Sequence, residues 1–195
     1  QPSALIQKGD QQAWIGLRTG IVPRTREVRT GDLIMRGGLY YARGDKEPFN
    51  GKQITPRSDG SKWLEMPYVN GKRHGKKIWY EIDGRIGYET PYVDGRRQGV
   101  AITYYKDGTK KSEEPWADGI RVGSGFEYRE NGMIAKEVEY ADSVQSEVWY
   151  REDGSKWKEM RYDMGQHNGI PTYYDENGIK KEEPPMRSEE RRVGK

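Results

Sequence analysis

From Asp83 to Gly108 the chain reads DGRIGYETPYVDGRRQGVAITYYKDG, and this stretch is one copy of a unit that recurs along most of the 195 residues. The Asp/Asn-Gly pairs that bound such units end at Gly60, Gly84, Gly108, Gly132, Gly154 and Gly178, a beat of 24 residues shortened once to 22. A fixed period of this size marks an architecture in which one supersecondary unit is copied and stacked on its neighbours. Aligned on the glycine, a glutamate stands five positions later at Glu65, Glu89, Glu113, Glu137, Glu159 and Glu183. An aromatic ring stands eight positions later at Tyr68, Tyr92, Trp116, Tyr140 and Tyr162, and an aromatic pair or single ring closes most units.

Turn formers every 11–13 residues leave runs rich in Tyr, Trp, Ile and Val, which is the length and composition of strands. Asp-Gly and Asn-Gly suit turns that need positive φ, because glycine has no Cβ to clash there. No window holds an apolar period of 3.6, and 25 Gly with 10 Pro would break helices repeatedly. The expected fold is all-β: an elongated, solenoid-like antiparallel sheet of about six stacked β-hairpin repeats of ~24 residues. Residues 1–31 read as a non-repeat lead-in, either an extra strand or an arm. Residues 32–184 read as the repeat domain, with 32–59 a degenerate first unit, and residues 185–195 as a disordered charged tail.

Alternation along a strand places the ring of Tyr68 on one face and Glu65 on the other. The expectation is one aromatic face and one wet, charged face carrying the glutamates, with Arg73, Arg97, Arg121 and His167 near the glutamates or near the turns. Gly60, Gly84, Gly108, Gly132, Gly154 and Gly178, with Glu65, Glu89, Glu113, Glu137 and Glu159, are accordingly read as structural. The unit around Ser143 lacks the two glycines of its neighbours and is the one irregular place.

Only 32% of residues are hydrophobic, so a core must draw on the 14 Tyr and 6 Trp. The net charge of +3 owes much to Arg187–Lys195, and acids and bases interleave elsewhere, which argues against a nucleic-acid track. Without cysteine there is no disulfide or thiolate chemistry, and no apolar run is long enough to span a membrane. His74 and His167 stand without triad or metal-site spacing, and a glutamate repeated in every unit reads as structure, not as half of a catalytic pair. No enzyme activity, cofactor or metal is expected. The start at Gln1 without Met favours an exported or envelope protein over a cytoplasmic one.

Tyr68-Val-Asn-Gly-Lys-Arg-His-Gly75, Tyr92-Val-Asp-Gly-Arg-Arg-Gln-Gly99 and Trp116-Ala-Asp-Gly-Ile-Arg-Val-Gly123 resemble the MORN repeat, in particular its bacterial variant, the YwqK-type antitoxin-like family. The resemblance covers roughly residues 32–183. It implies an extended sheet of hairpins, no catalysis, and a protein-binding surface that serves an antitoxin, immunity or scaffold role. The aromatics expected to meet such a partner are Trp79, Tyr80, Tyr104, Trp149, Tyr150 and Tyr173. An alternative is a cell-envelope module that takes choline or glycan on its rings, and a second is a membrane-surface anchor that uses the basic tail.

Overall fold

The computed structural model describes residues 26–141, 144–163, 166–167 and 171–181. The irregular stretch at Ser143, the lead-in before residue 26 and the tail at 185–195 lie outside the described residues. What is described contains no helix and is built on one long open sheet of successive hairpins, not closed into a barrel, with a separate two-stranded ribbon beside it.

Each unit is a hairpin. Lys62–Val69 returns as Lys72–Arg73 and Gly75–Tyr80, and Ile86–Val93 as Arg96–Arg97 and Gly99–Tyr104. Lys110–Ala117 returns as Ile120–Arg121 and Gly123–Tyr128, and Ile134–Ala141 as Val144–Tyr150. Lys156–Asp163 pairs with Gln166–His167 and Thr172–Tyr174, and Lys180–Lys181 closes the array.

Two kinds of turn alternate. The tight returns are Asn70-Gly71, Asp94-Gly95 and Asp118-Gly119, where both residues take positive φ (48° and 74° in the first). That is the turn whose twist matches the strands it joins. The Asp/Asn-Gly pairs of the 24-residue beat build the other kind, in which only the glycine is left-handed. There the acid or amide side chain accepts the N–H two residues on, as Asp59 does from Ser61 at 2.8 Å and Asp153 from Ser155 at 2.8 Å. One dipeptide thus serves two geometries.

At the first five beat turns the ladder slips by one residue, between Thr55 and Pro56, Trp79 and Tyr80, Thr103 and Tyr104, Glu127 and Tyr128, and Trp149 and Tyr150 on the strand that enters the turn. Such a bulge lets two side chains three positions apart lie on the same face. Successive units are also stapled. Arg129 donates to the carbonyl of Tyr150 at 2.6 Å and Tyr105 to that of Tyr128 at 2.6 Å, while Arg57 and Arg151 make the same reach to Tyr80 and Tyr174.

The amino-terminal end differs from a degenerate hairpin. Gly51–Pro56 pairs with Lys62–Val69 as any returning strand would, but its outer edge is taken in parallel by Glu27–Arg29. Leu33–Arg36 and Leu39–Ala42 are released into a separate two-stranded ribbon. That ribbon contributes Ala42, Leu33 and Tyr40 to a cluster with Phe49, Met66, Tyr68 and Tyr92, the main core of the molecule. Tyr40 and Phe49 meet the Tyr68 ring edge-on at 5.0 and 5.8 Å. The array is capped at this end.

Candidate functional site

Register divides the side chains into two faces. On the first, direct cross-strand neighbours run Ile54, Glu65, Ile78, Glu89, Ile102, Glu113, Phe126, Glu137, Val148 and Glu159, so that Glu65, Glu89, Glu113 and Glu137 each stand between apolar residues. This face is not the wet, charged surface that alternation suggested. Glu65 and Glu89 are buried, at 6% and 7% exposure, because tyrosines and lysines fold over them.

Tyr104, Tyr128, Tyr150 and Tyr174 donate to Glu89, Glu113, Glu137 and Glu159 at 3.1, 2.9, 2.9 and 2.9 Å. Lys76 reaches Glu89 at 2.9 Å, Lys52 and Lys62 hold Glu65, Lys110 holds Glu113, and Lys156 reaches Glu159 at 3.3 Å. The Lys62–Glu65, Lys110–Glu113 and Lys156–Glu159 pairs, each three apart, share a face only because of the bulge.

The charges respond accordingly. Burial works to raise the Glu65 carboxyl, but the bonds and charges of Lys52 and Lys62 outweigh it and leave it below the usual range. The same contest ends the same way at Glu113, through Lys110 and Tyr128. The phenols of Tyr128 and Tyr150 are pushed up to about 12, first by burial and then by the carboxylates they bond. Between pH 10, where an unfolded tyrosine ionises, and about 12, the unfolded chain releases protons that the folded chain keeps. Stability is therefore full below pH 10 and falls as pH rises towards 12. Phenolate absorbance and circular dichroism followed together should show loss of fold and the late ionisation in one step, with Tyr128→Phe and Tyr150→Phe shifting the step to higher pH.

The second face carries the rings. Its direct neighbours run Leu64, Trp79, Tyr88, Thr103, Ser112, Glu127, Lys136, Trp149, Lys158 and Tyr173. Trp79 is 40% exposed and meets Trp63 edge-on at 5.3 Å. Trp149 lies under Lys158 at 4.4 Å and Lys136 at 5.8 Å, and Tyr173 lies 6.3 Å from Trp157. The six candidate aromatics thus separate: Trp79, Trp149 and Tyr173 are on this face. Tyr80, Tyr104 and Tyr150 are on the other, where Tyr104 and Tyr150 bond the glutamates directly and the Tyr80 phenol is raised by burial and Glu65.

Arg73, Arg97 and Arg121 are also found here and not beside the glutamate column. Register pairs them with Tyr68, Tyr92 and Trp116. Arg73 lies 5.9 Å from both Tyr40 and Tyr92, Arg97 4.3 Å from Trp116, and Arg121 5.0 Å from Trp116 and 5.6 Å from Tyr140. Cations and rings alternate along the sheet, each guanidinium held against an aromatic face. Next to Tyr140 a notch of about 460 Å³ opens where the row narrows to Thr103, Ser112 and Gly125.

Trp116 carries a buried indole N–H with no partner. An unsatisfied buried donor costs about 1–3 kcal/mol. Trp116→Phe keeps a ring between Arg97 and Arg121 while removing that donor, so its unfolding free energy in urea should match or exceed that of the parent by up to about 1 kcal/mol.

Of the two histidines, His74 sits at the turn with Nδ1 3.7 Å from the Asp94 carboxylate, and the His167 side chain lies outside the described residues. Among the described residues no group of acids and histidines is placed to hold a metal ion, and no helix is long and apolar enough to cross a membrane. Fold and surface together define an open β-hairpin repeat sheet with one face closed on itself and one face of rings and cations. No known protein family matches the chain, and no curated protein matches it.

Proposed function

We propose that the chain is a non-catalytic repeat scaffold that binds another protein through its ring face, in the manner of an antitoxin or immunity partner. One contrast supports this reading. On the glutamate face Lys52, Lys76, Lys110 and Lys156 are each committed to a carboxylate, whereas on the ring face, where Arg121 and Lys136 pair with Glu114 and Glu127, Arg73, Lys77, Arg97 and Lys158 have no ion pair with any described residue. A surface that holds exposed Trp and Tyr beside Arg without an ion-pair partner has the composition of interface hot spots. The glutamates, by contrast, are already bonded to tyrosines and lysines, which suits a structural part and not general acid–base work.

Trp79→Ala, Trp149→Ala and Tyr173→Ala, made singly and together, test this. Capture of the partner by the immobilised chain should weaken stepwise while the far-ultraviolet spectrum and melting point stay near those of the parent. Undiminished capture with all three rings removed would reject the ring face as the interface. The exposed Trp63–Trp79 pair also favours a second reading, a cell-envelope module for choline or glycan. A saturable change of tryptophan fluorescence with either ligand, abolished in Trp79→Ala, would decide for it. The anchor reading depends on residues 187–195, outside the described part; binding to anionic vesicles that disappears when they are deleted would support it.

A further inference from the structure

The cations of the ring face form a ruler. Arg73, Arg97 and Arg121 occupy the same place in consecutive hairpins, two strands apart, so they recur at about 9.6 Å along the sheet. Arg97 and Arg121 lie 4.3 and 5.0 Å from one Trp116 ring, which keeps them within that distance of each other. An extended β-strand does not match this ruler, since at about 3.3 Å per residue every third side chain points the opposite way. A polyproline II helix does. It has three residues per turn and rises about 3.1 Å per residue, so every third side chain returns to one side after about 9.3 Å.

We infer that the ring face is a track for an acidic, proline-rich segment of a partner protein in the polyproline II conformation, with a carboxylate at every third residue. The inference rests on the protein-binding reading above and names the partner's chemistry. Charge selects the acid: no described carboxylate lies within ion-pair distance of Arg73 or Arg97, Arg121 has Glu114 at 3.3 Å in a pair that an incoming carboxylate would share, and a ring beside each guanidinium limits the freedom it loses on binding. Shape selects the proline. Tyr105 and Tyr140 wall the notch at the end of the arginine row, which supplies the aromatic lining that polyproline helices use and room for the residues between the acids. Single-stranded nucleic acid fits less well, because Trp116, on which a base would stack, has the Arg97 and Arg121 guanidiniums over its ring.

The test is fluorescence anisotropy on the full chain with labelled peptides of repeated Glu-Pro-Pro triplets. Equally charged Glu-Gly-Ser repeats, Lys-Pro-Pro repeats and a single-stranded oligonucleotide serve as competitors. The expected result is saturable binding of Glu-Pro-Pro, at least ~10-fold tighter than Glu-Gly-Ser. Binding should weaken at least ~10-fold in Arg97→Ala and in Arg97→Gln, and be unchanged in Val100→Ala on the opposite face. Equal affinity for Glu-Gly-Ser overturns the polyproline assignment while leaving an acidic partner. Tighter binding of Lys-Pro-Pro or of the oligonucleotide overturns the partner class. No binding of any acidic peptide overturns the inference outright, whereas the protein-binding reading falls only with the Trp79, Trp149 and Tyr173 variants. Should Arg97→Ala fail to fold, Arg97→Gln and the peptide comparison on the parent chain still decide.

Discussion

Phe49→Ala is expected to destabilise the chain by about 3–5 kcal/mol, the cost of truncating a fully buried ring. Phe49 is 1% exposed, and its ring fills the space between the Tyr68 ring and the Arg26 guanidinium, 5.8 Å from each centre. Its backbone also ties the cap to the array: Phe49 N–H donates to Tyr40 O at 2.8 Å, and Phe49 O accepts from Gly71 N–H at 2.8 Å. Removing the ring opens a cavity at the one place where ribbon, first strand and first tight turn converge. Because each hairpin leans mainly on its neighbours, loss of the cap should propagate inward. Urea unfolding followed by tryptophan fluorescence should show a lower midpoint and an early phase belonging to the first units. A shift under ~1 kcal/mol would mean that the ribbon is not part of the cooperative structure.

Gly51→Ala should be nearly as damaging, by about 3 kcal/mol, for a different reason. Gly51 has φ of 149°, and a Cβ built on it would lie 2.1 Å from the Arg26 carbonyl oxygen and 2.8 Å from the Phe49 ring. The obstruction is backbone on one side and a locked ring on the other, so neither can yield cheaply. It would also separate Lys52 N–H from Arg26 O, a 2.8 Å bond that anchors the parallel edge strand. Gly84→Ala is the control. Gly84 also has positive φ, 83°, yet nothing lies within 4 Å of its would-be Cβ, so only the conformational cost of about 1 kcal/mol applies. Equal losses in the two variants would deny the close approach of Arg26 to Gly51.

The hairpin array was legible because the Asp/Asn-Gly beat, the strand-length runs between turns and the absence of helical periodicity all agreed. Even the face of Tyr68 and Met66 followed from alternation alone. What could not be read was register across strands, and that decides which side chains meet. Glu89 and Tyr104 are 15 residues apart in sequence and bonded in space; once four positions before each beat glycine from Gly84 onward are seen to be occupied by Tyr80, Tyr104, Tyr128, Tyr150 and Tyr174, the partnership with the glutamate column becomes a sequence signal. The aromatic pairs alone do not show that column, since Tyr104 of Tyr104-Tyr105 aligns with Tyr80 of Trp79-Tyr80 and Thr103 aligns with Trp79.

Of the two places expected for the arginines, beside the glutamates or near the turns, the structure has the second, since Arg73, Arg97 and Arg121 each follow a tight turn. A basic residue in a repeat invites pairing with the repeated acid, but the tight turn sets Arg97 opposite Tyr92, and alternation then keeps it on the ring side. Proline was a further column left unread. Pro67 and Pro91 follow their glutamates by two positions and lie against Gly75 and Gly99 of the returning strand, with the proline Cγ 3.1 Å from where a Cβ would stand. The parallel edge strand Glu27–Arg29 carries no sequence mark at all, because three residues of pairing are too few to show a pattern.

The two-faced account is tested most directly by placing a photo-crosslinking residue at Lys77 on the ring face and, separately, at Val100 on the opposite face, and comparing capture of the bound partner. Both positions lie on central returning strands and neither is bonded to a glutamate of the ladder. Crosslinks from Lys77 and none from Val100 are the predicted result. Equal yields from both positions, or capture from Val100 alone, would contradict the assignment of the ring face as the working surface of this protein.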